Sequence, residues 1–381
     1  MKLLYCIRSL CRIGGMERVL IDKINYLVKN FNYEIYVVTT DHENRDYFAP
    51  LDKNIKHIDL EINYLKDIDK NFFSRIPIYI NKQKEHEKKL KKIIEEIKPD
   101  VIISMGEEDR NFIYKFKNKK LHVIREMHFN KNYMLQKKSK NILYMLKNYY
   151  MDFKVKNSID KYDKFIVLTE EDKISWKNNK IEVIPNSIRN IPKISSECKE
   201  KKIISVGRLD YQKGYDILID VWNIASKRYP DWTLEIYGEG VEREKLQEKI
   251  NKLGLEKTFL LKGETKKIQQ EYLKGSIFIM TSRGEGFGMV LIEAMAYGLP
   301  VISFDAPCGP KDIIKDGEDG FLVKFGNIKQ MAEKIEELII NEEKRKIFGK
   351  NAKKNVERFS AELIMEKWKN LFEDLLIKKD S

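Results

Sequence analysis

The sequence predicts an α/β protein built from two parallel sheets with helices on both faces, and three observations carry that prediction. Strand-like and helix-like segments alternate along almost the whole chain. A strand, a glycine turn and a helix follow one another at the N-terminus and again just past the middle. The two halves opened in this way are of similar length. Strands that alternate with helices form parallel sheets covered on both faces, and two such units in tandem mean two Rossmann-like domains.

The elements follow in order. KLLYCIRSL reads as a strand, CRIGGMERV as a glycine turn, and the pattern to Leu27 as a helix. EIYVVTT, IKHIDL, DVIISMG, LHVIREMH, KFIVLT and IEVIPN then supply strand signals within the first half. PNSIRNIPKISSECKEKK, residues 185 to 202, reads as the linker. KKIISVGRLD and YQKGYDILIDVWNIASKRYP repeat the opening unit, followed by WTLEIYGEG, KTFLLKG, SIFIMTS, PVISF and FLVKF. The tail FSAELIMEKWKNLFEDLLIKK is helical, and its Trp368, Leu371 and Leu375 need a surface to cover. The expected organisation is a first domain over 1–190, a second over 191–360, and a terminal helix over 361–381 packed back on the first.

Composition narrows the class. A chain of 381 residues with 42% hydrophobic and 34% charged side chains is long and apolar enough for two soluble domains. The N-terminal apolar run is too short and too interrupted for a signal peptide, and no stretch reaches a spanning length, so the cytosol is the expected compartment. Cys6, Cys11, Cys198 and Cys308 form no CxxC pair and have no histidine at ligand spacing, which predicts free thiols and neither zinc nor disulfides. Cys308 in APCGPKDII reads as packed rather than nucleophilic.

Facing α/β domains create a cleft at the carboxyl ends of both sheets, where ligands of this architecture bind. Gly14 and Gly15 occupy the first such turn, where the absence of a Cβ lets backbone approach a ligand. Arg208 and Lys213 follow the first strand of the second half, five positions apart, so two cations can meet one anion. In SRGEGFGMVLIEAMAYGLPVIS, Gly284, Gly286 and Gly288 prevent any helix before Met289, whereas the residues from Met289 and Val290 onward are strong helix formers. The free N–H groups and positive dipole of that helix face whatever the loop encloses. A diphosphate best fits three converging positive elements. Glu293, one turn from the phosphate end, can accept from paired hydroxyls such as those of a ribose, and Glu285 on the loop faces the group attached beyond the diphosphate. The plainer readings are a carboxylate that complements the helix dipole for Glu293 and a solvated loop charge for Glu285.

On these residues the chain resembles the family-4 retaining glycosyltransferases of the GT-B fold. SVGRLDYQKGYDILI is similar to their diphosphate segment, EGFGMVLIEAMAYGLPVI to their E-x7-E segment and GGMERV to their N-terminal glycine turn; GEDGFLV extends the likeness to residue 324. The resemblance implies transfer of a sugar from a nucleotide-sugar donor, UDP-linked or GDP-linked, with retention at the anomeric carbon and no required metal or cofactor. It implies that Arg208 and Lys213 hold the diphosphate and that Glu293 holds the ribose. Glu285, with the amides of Gly286, Phe287 and Gly288, would hold the donor sugar. His128 matches the family's histidine near that sugar, although R-E-M-H stands here for S-E-H.

Rival readings concern other motifs and classes. Asp67-Ile68-Asp69 formally spells the D-x-D metal pair of the other major transferase fold, but LEINYLKDIDKN reads as a polar loop. Glu107, Glu108 and Asp109 follow a strand toward the cleft and read as loop charges, one of which could contact an acceptor. Gly238-Glu239-Gly240 is a strand-end turn. A nucleotide-sugar epimerase would share the diphosphate site without an acceptor, and a sugar-nucleotide or glycan-binding protein would dispense with transition-state groups.

The charge points to a partner. Of the formal net charge of +13, about +11 lies before residue 191. Between Arg110 and Asp160 about 13 basic residues face 3 acidic ones. Lys137, Lys138, Lys140, Lys147, Lys154 and Lys156 flank a stripe of Leu135, Ile142, Leu146, Tyr149 and Phe153. That mixture suits an anionic membrane surface and hence a lipid-linked saccharide acceptor on its cytosolic face, as in the synthesis of capsule, O-antigen or a related bacterial surface glycan. The bland alternative is a solvated lysine face. Nucleic acid is not expected, because no recognition motif accompanies the charge.

Overall fold

In the computed structural model, residues 1–11, 14–67, 69, 71–131 and 157–377 are described. The lysine-rich stripe from Leu135 to Lys156 lies outside them.

The first sheet has seven parallel strands. β1 (Lys2–Cys6), β2 (Glu34–Thr39), β3 (Lys56–Asp59), β4 (Val101–Ser104), β5 (His122–Glu126), β6 (Lys164–Val167) and β7 (Ile181–Val183) lie in the order β3-β2-β1-β4-β5-β6-β7. The second has six, β8 (Lys202–Val206), β9 (Thr233–Tyr237), β10 (Phe259–Gly263), β11 (Ile277–Met280), β12 (Val301–Phe304) and β13 (Gly320–Val323), ordered β10-β9-β8-β11-β12-β13. In each sheet the order reverses beside the first strand, between β1 and β4 and between β8 and β11. Loops leaving neighbouring strands there diverge to opposite faces and open a crevice. The fold is therefore GT-B, two Rossmann-like α/β domains.

Short apolar runs form the central strands because parallel strands there are buried on both faces, while the edge strand β3 is polar and partly exposed. Leu3, Leu4 and Tyr5 of β1 and Val101, Ile102 and Ile103 of β4 have no exposed surface. Among the helices, α1 (Gly15–Phe31) follows β1, α2 (Phe72–Ile97) precedes β4, and α3 (Glu170–Trp176) follows β6. In the second half α4 (Tyr215–Ala225), α5 (Arg243–Lys252), α6 (Ile268–Lys274), α7 (Met289–Ala296), α8 (Pro310–Ile313), α9 (Ile328–Ile340) and α10 (Glu342–Val356) fill the crossovers and cover the sheet. Among the described residues no helix is long and apolar enough to cross a membrane.

The last helix, α11 (Ala361–Ile377), does not pack on the sheet it follows. Its Ile364, Met365, Trp368, Leu371, Phe372 and Leu375 are buried with Leu3, Tyr5, Leu20 and Ile24 in one core of the first sheet. A bridge between Ile188 and Ser360 sets the return beside the linker. Each large side chain buried there contributes on the order of 1.5–3 kcal/mol, so the tail is held by the first domain's core.

Candidate active site

The loop 281–288 and the turn 207–214 are joined side by side. Arg283 grips Asp216 with two parallel hydrogen bonds of 2.9 and 2.6 Å, and its guanidinium lies 3.9 Å from the Tyr211 ring centroid. Gln212 Nε2 donates to the Gly284 carbonyl at 2.9 Å, and the Arg283 amide donates to the Gln212 carbonyl at 2.7 Å. Gly214, at φ 67°, lies so near Thr281 that a Cβ would strike its carbonyl oxygen. A planar fork on a carboxylate adds direction as well as energy, so the two loops hold one another in register.

That joint sets Lys213 against Glu285. Lys213 Nζ donates to Glu285 Oε1 at 2.7 Å, and Ser282 Oγ donates to the same oxygen at 2.6 Å. The Lys213 side chain is 16% exposed, whereas Arg208 is 69% exposed and lies 3.0 Å from Asp210. Asp210 also accepts from the Lys213 amide and thereby fixes the turn.

The helix expected at Met289 begins there, with Gly288 at φ 100° before it. The Phe287 side chain is buried and meets Phe359 edge-on, so only its backbone is available to a ligand. Glu293 lies in the second turn of α7. Burial raises its carboxyl above the usual range, against the opposing effect of Arg18, whose Nη1 stands 3.2 Å from Oε1; Tyr272 donates to Oε2 at 3.3 Å.

Arg18 belongs to α1, so the first domain reaches this carboxylate directly. A second crossing lies after β5. Asn130 Nδ2 donates to the Glu285 carbonyl at 2.5 Å, and a Cβ on Gly286 would collide with the His128 carbonyl oxygen. Glycine is what lets the two backbones meet. The His128 side chain is buried and its Nε2 lies 3.0 Å from Glu126 Oε1. Gly14 caps α1 without a side chain, and a Cβ on Gly15 would meet open space.

The structure thus sets Lys213 and Ser282 against the Glu285 carboxylate, and the His128 carbonyl and Asn130 against the Glu285–Gly286 backbone, while Glu293 meets Arg18 and Tyr272. Arg208 lies at the outer edge of this group. Sequence reading assigned no role to Arg18, Asn130 or Ser282. Arg18 lies within GGMERV and Ser282 within SRGEGFG, but Asn130 has no local signal.

At the first sheet's own reversal point, Glu108 and Asp109 are buried rather than solvated loop charges. Glu108 pairs with Arg8, while Arg125 lies 3.4 Å from Asp109 and Ser104 donates to Asp109 at 2.8 Å. Burial pushes the Asp109 carboxyl up to about 7 despite Arg125. A small hollow, with room for little more than a water molecule, lies here and is lined by Cys6, Thr40, His86, Glu108 and Asp109. Asp67, of the D-x-D triplet, pairs with Lys82, and Ile68 lies outside the described residues. Cys308 is buried, which raises its thiol pKa well above the ordinary value, as suits a packed group.

The fold is that of the GT-B glycosyltransferases, and glycosyltransferases are the class to which the chain's relatives point. Residues 187–355 match the family of glycosyl transferases group 1. An uncharacterized glycosyltransferase of Haemophilus influenzae is 29% identical over 97% of this chain and 99% of its own length. The amylovoran biosynthesis glycosyltransferase AmsD of Erwinia amylovora is 37% identical over 55% of this chain, and the match spans 62% of AmsD, less than two thirds of it. Among solved structures, Staphylococcus aureus TarM in complex with UDP and alpha-GlcNAc-glycerol superposes with a TM-score of 0.79 at 20% identity, over 97% of this chain and 99% of that one.

Proposed function

We propose that the protein is a retaining, metal-independent glycosyltransferase. It moves a sugar from a nucleotide-diphosphate donor, with UDP favoured, to a lipid-linked saccharide in the synthesis of a bacterial surface glycan. The observation that carries the reading is the joint of Lys213, Glu285 and the amide end of α7, which sets fixed positive charge beside a carboxylate. AmsD, named for amylovoran biosynthesis, and TarM, solved with UDP and alpha-GlcNAc-glycerol, support the choice of donor and pathway class. Residues 1–190 are read as the acceptor side, 191–360 as the donor side and 361–381 as a returning helix.

Departure of a nucleoside diphosphate leaves negative charge on the β-phosphate and positive character on the sugar ring. Lys213, Arg208 and the amides of Gly286 to Val290 would stabilise that charge as the bond breaks. They supply the role a metal fills elsewhere. Glu285 Oε1 already accepts from Lys213 and Ser282, which supports a fixed acceptor for sugar hydroxyls rather than a nucleophile. Front-face attack follows, in which the leaving phosphate takes the proton of the acceptor hydroxyl. Glu293 would hold the ribose with Arg18 beside it.

Labelled UDP-sugars and GDP-sugars, incubated with and without membrane lipid extract carrying saccharide acceptors, test this reading. Transfer of label to lipid in the presence of chelator is the expected result. A rearranged free nucleotide sugar would make the protein an epimerase, and binding without turnover would make it a binding protein.

A further inference from the structure

We propose that Lys23 and Glu126 form a buried positioning pair that sets the ring of His128 and ties it to the C-terminal helix. The inference rests on the transferase reading only for what His128 touches. Glu126 is the last residue of β5 and Lys23 lies in the middle of α1; their side chains are 1% and 2% exposed. Lys23 Nζ lies 2.5 and 2.6 Å from the two carboxylate oxygens, and His128 Nε2 lies 3.0 Å from Oε1. On its other side Lys23 Nζ stands 3.9 Å from the Trp368 ring centroid, so α11 covers the cation with an aromatic face. A continuous chain of contacts therefore runs from α11 through α1 and β5 to the loop that meets Gly286.

Stability alone does not account for this pair. Desolvating two charges costs several kcal/mol per ion, and apolar residues of similar volume often serve as well or better. What apolar residues cannot supply is a charged acceptor for an imidazole. Burial opposes the charge on Glu126, but Lys23 and His128 outweigh it and hold the carboxyl down at about 2. Glu126 is thus an anion throughout the working range, and a carboxylate facing Nε2 requires a proton on that nitrogen. The ring is left with Nδ1 as its other polar atom, in an orientation set from the first domain's core. His128 precedes the cross-domain contacts of Asn130 and Gly286 by two residues in one case and shares them through its carbonyl in the other.

The test uses the full chain with the exchange Lys23→Met plus Glu126→Leu, alone and combined with His128→Ala. Wild type should show the imidazole ¹⁵N signature of an Nε2 proton at His128, and the double exchange should lose it while the melting temperature stays near that of wild type. Consumption of UDP-sugar should fall roughly 10²-fold in kcat, the scale of a misplaced group, with little change in KM. In the His128→Ala background the exchange should cost nothing further, because its effect passes through the ring. An unchanged signature, or an equal loss of turnover with and without His128, overturns the proposal. Should the double exchange not fold, Glu126→Gln carries the same imidazole measurement, and a retained Nε2 proton with unchanged kcat overturns it. If wild type consumes no nucleotide sugar, the transferase reading falls, while the imidazole signal still decides the positioning pair.

Discussion

A cation that steadies a leaving diphosphate must itself be held, and the Lys213 ammonium is fixed at 2.7 Å by Glu285 while Arg208 stands mostly in solvent. Alanine at either position should lower turnover by roughly 10²-fold or more, as for other lost transition-state donors. Lys213→Ala should be the worse, since it also strands a buried carboxylate. Single-turnover kinetics on both variants checks this, and retained activity in either would assign the leaving charge elsewhere. Glu293→Ala should weaken nucleotide binding, because the ribose contact proposed for it would be equal in ground and transition states, whereas Glu285→Ala should mainly lower kcat. Titration of UDP against the two variants separates them; equal losses would remove the distinction. Asp109 gives a pH dependence. Its folded-state pKa of about 7 exceeds the ordinary 3.8, so the native state binds the extra proton and this group's contribution to stability declines as pH rises from about 4 to 7. Asp109→Asn should therefore gain on wild type over that range and level off above it. Urea melts at several pH values read the difference, and a constant gap would mean an ordinary ionised carboxylate. The residues that sequence alone could single out share short segments. Asn130 and Glu285 are 155 positions apart, and Lys23 and Glu126 are 103 apart, so only folding reveals them as neighbours.

The central strands were readable because parallel strands buried on both faces must be short apolar runs, whereas the edge strand β3, Lys56–Asp59, is polar and has no buried residue. The start of α7 was readable for a backbone reason, three glycines followed by helix formers. The extent of α2 was not, since Pro77 lies in its second turn, where proline ordinarily ends a helix. Nor does a strand pattern tell which face another domain's loop will touch. Gly286→Ala addresses that contact, because the new methyl would strike the His128 carbonyl. Turnover should drop while the melting temperature changes little, since the collision lies between domains rather than within a core. A full-rate variant would show that the contact is dispensable. Trp368→Ala should instead cost about 3–5 kcal/mol as a large side chain lost from a core, measurable by chemical denaturation. A loss below about 1 kcal/mol would mean that α11 can leave the first domain without consequence.

At the scale of the whole molecule the charge is lopsided, and its source lies in the half read as the acceptor side. About +11 of the +13 precedes residue 191, and six lysines between Lys137 and Lys156 flank the stripe from Leu135 to Phe153. The lipid-linked acceptor proposed for this chain would have to be met where it resides, at the bilayer surface. An amphipathic stripe would give apolar grip there, and each lysine near an anionic leaflet would add on the order of 1 kcal/mol, which salt weakens within a Debye length of about 8–10 Å. The competing account is that the stripe packs against the protein and the lysines only keep it soluble. Flotation with anionic and neutral vesicles at low and high salt tells the two apart. The expected result is recovery with anionic vesicles alone, fading as salt rises, and Lys137, Lys138 and Lys140 changed together to Gln should reduce it without altering hydrolysis of a soluble donor. Failure to float with either lipid would remove the membrane from the reading and direct the search to a soluble saccharide acceptor.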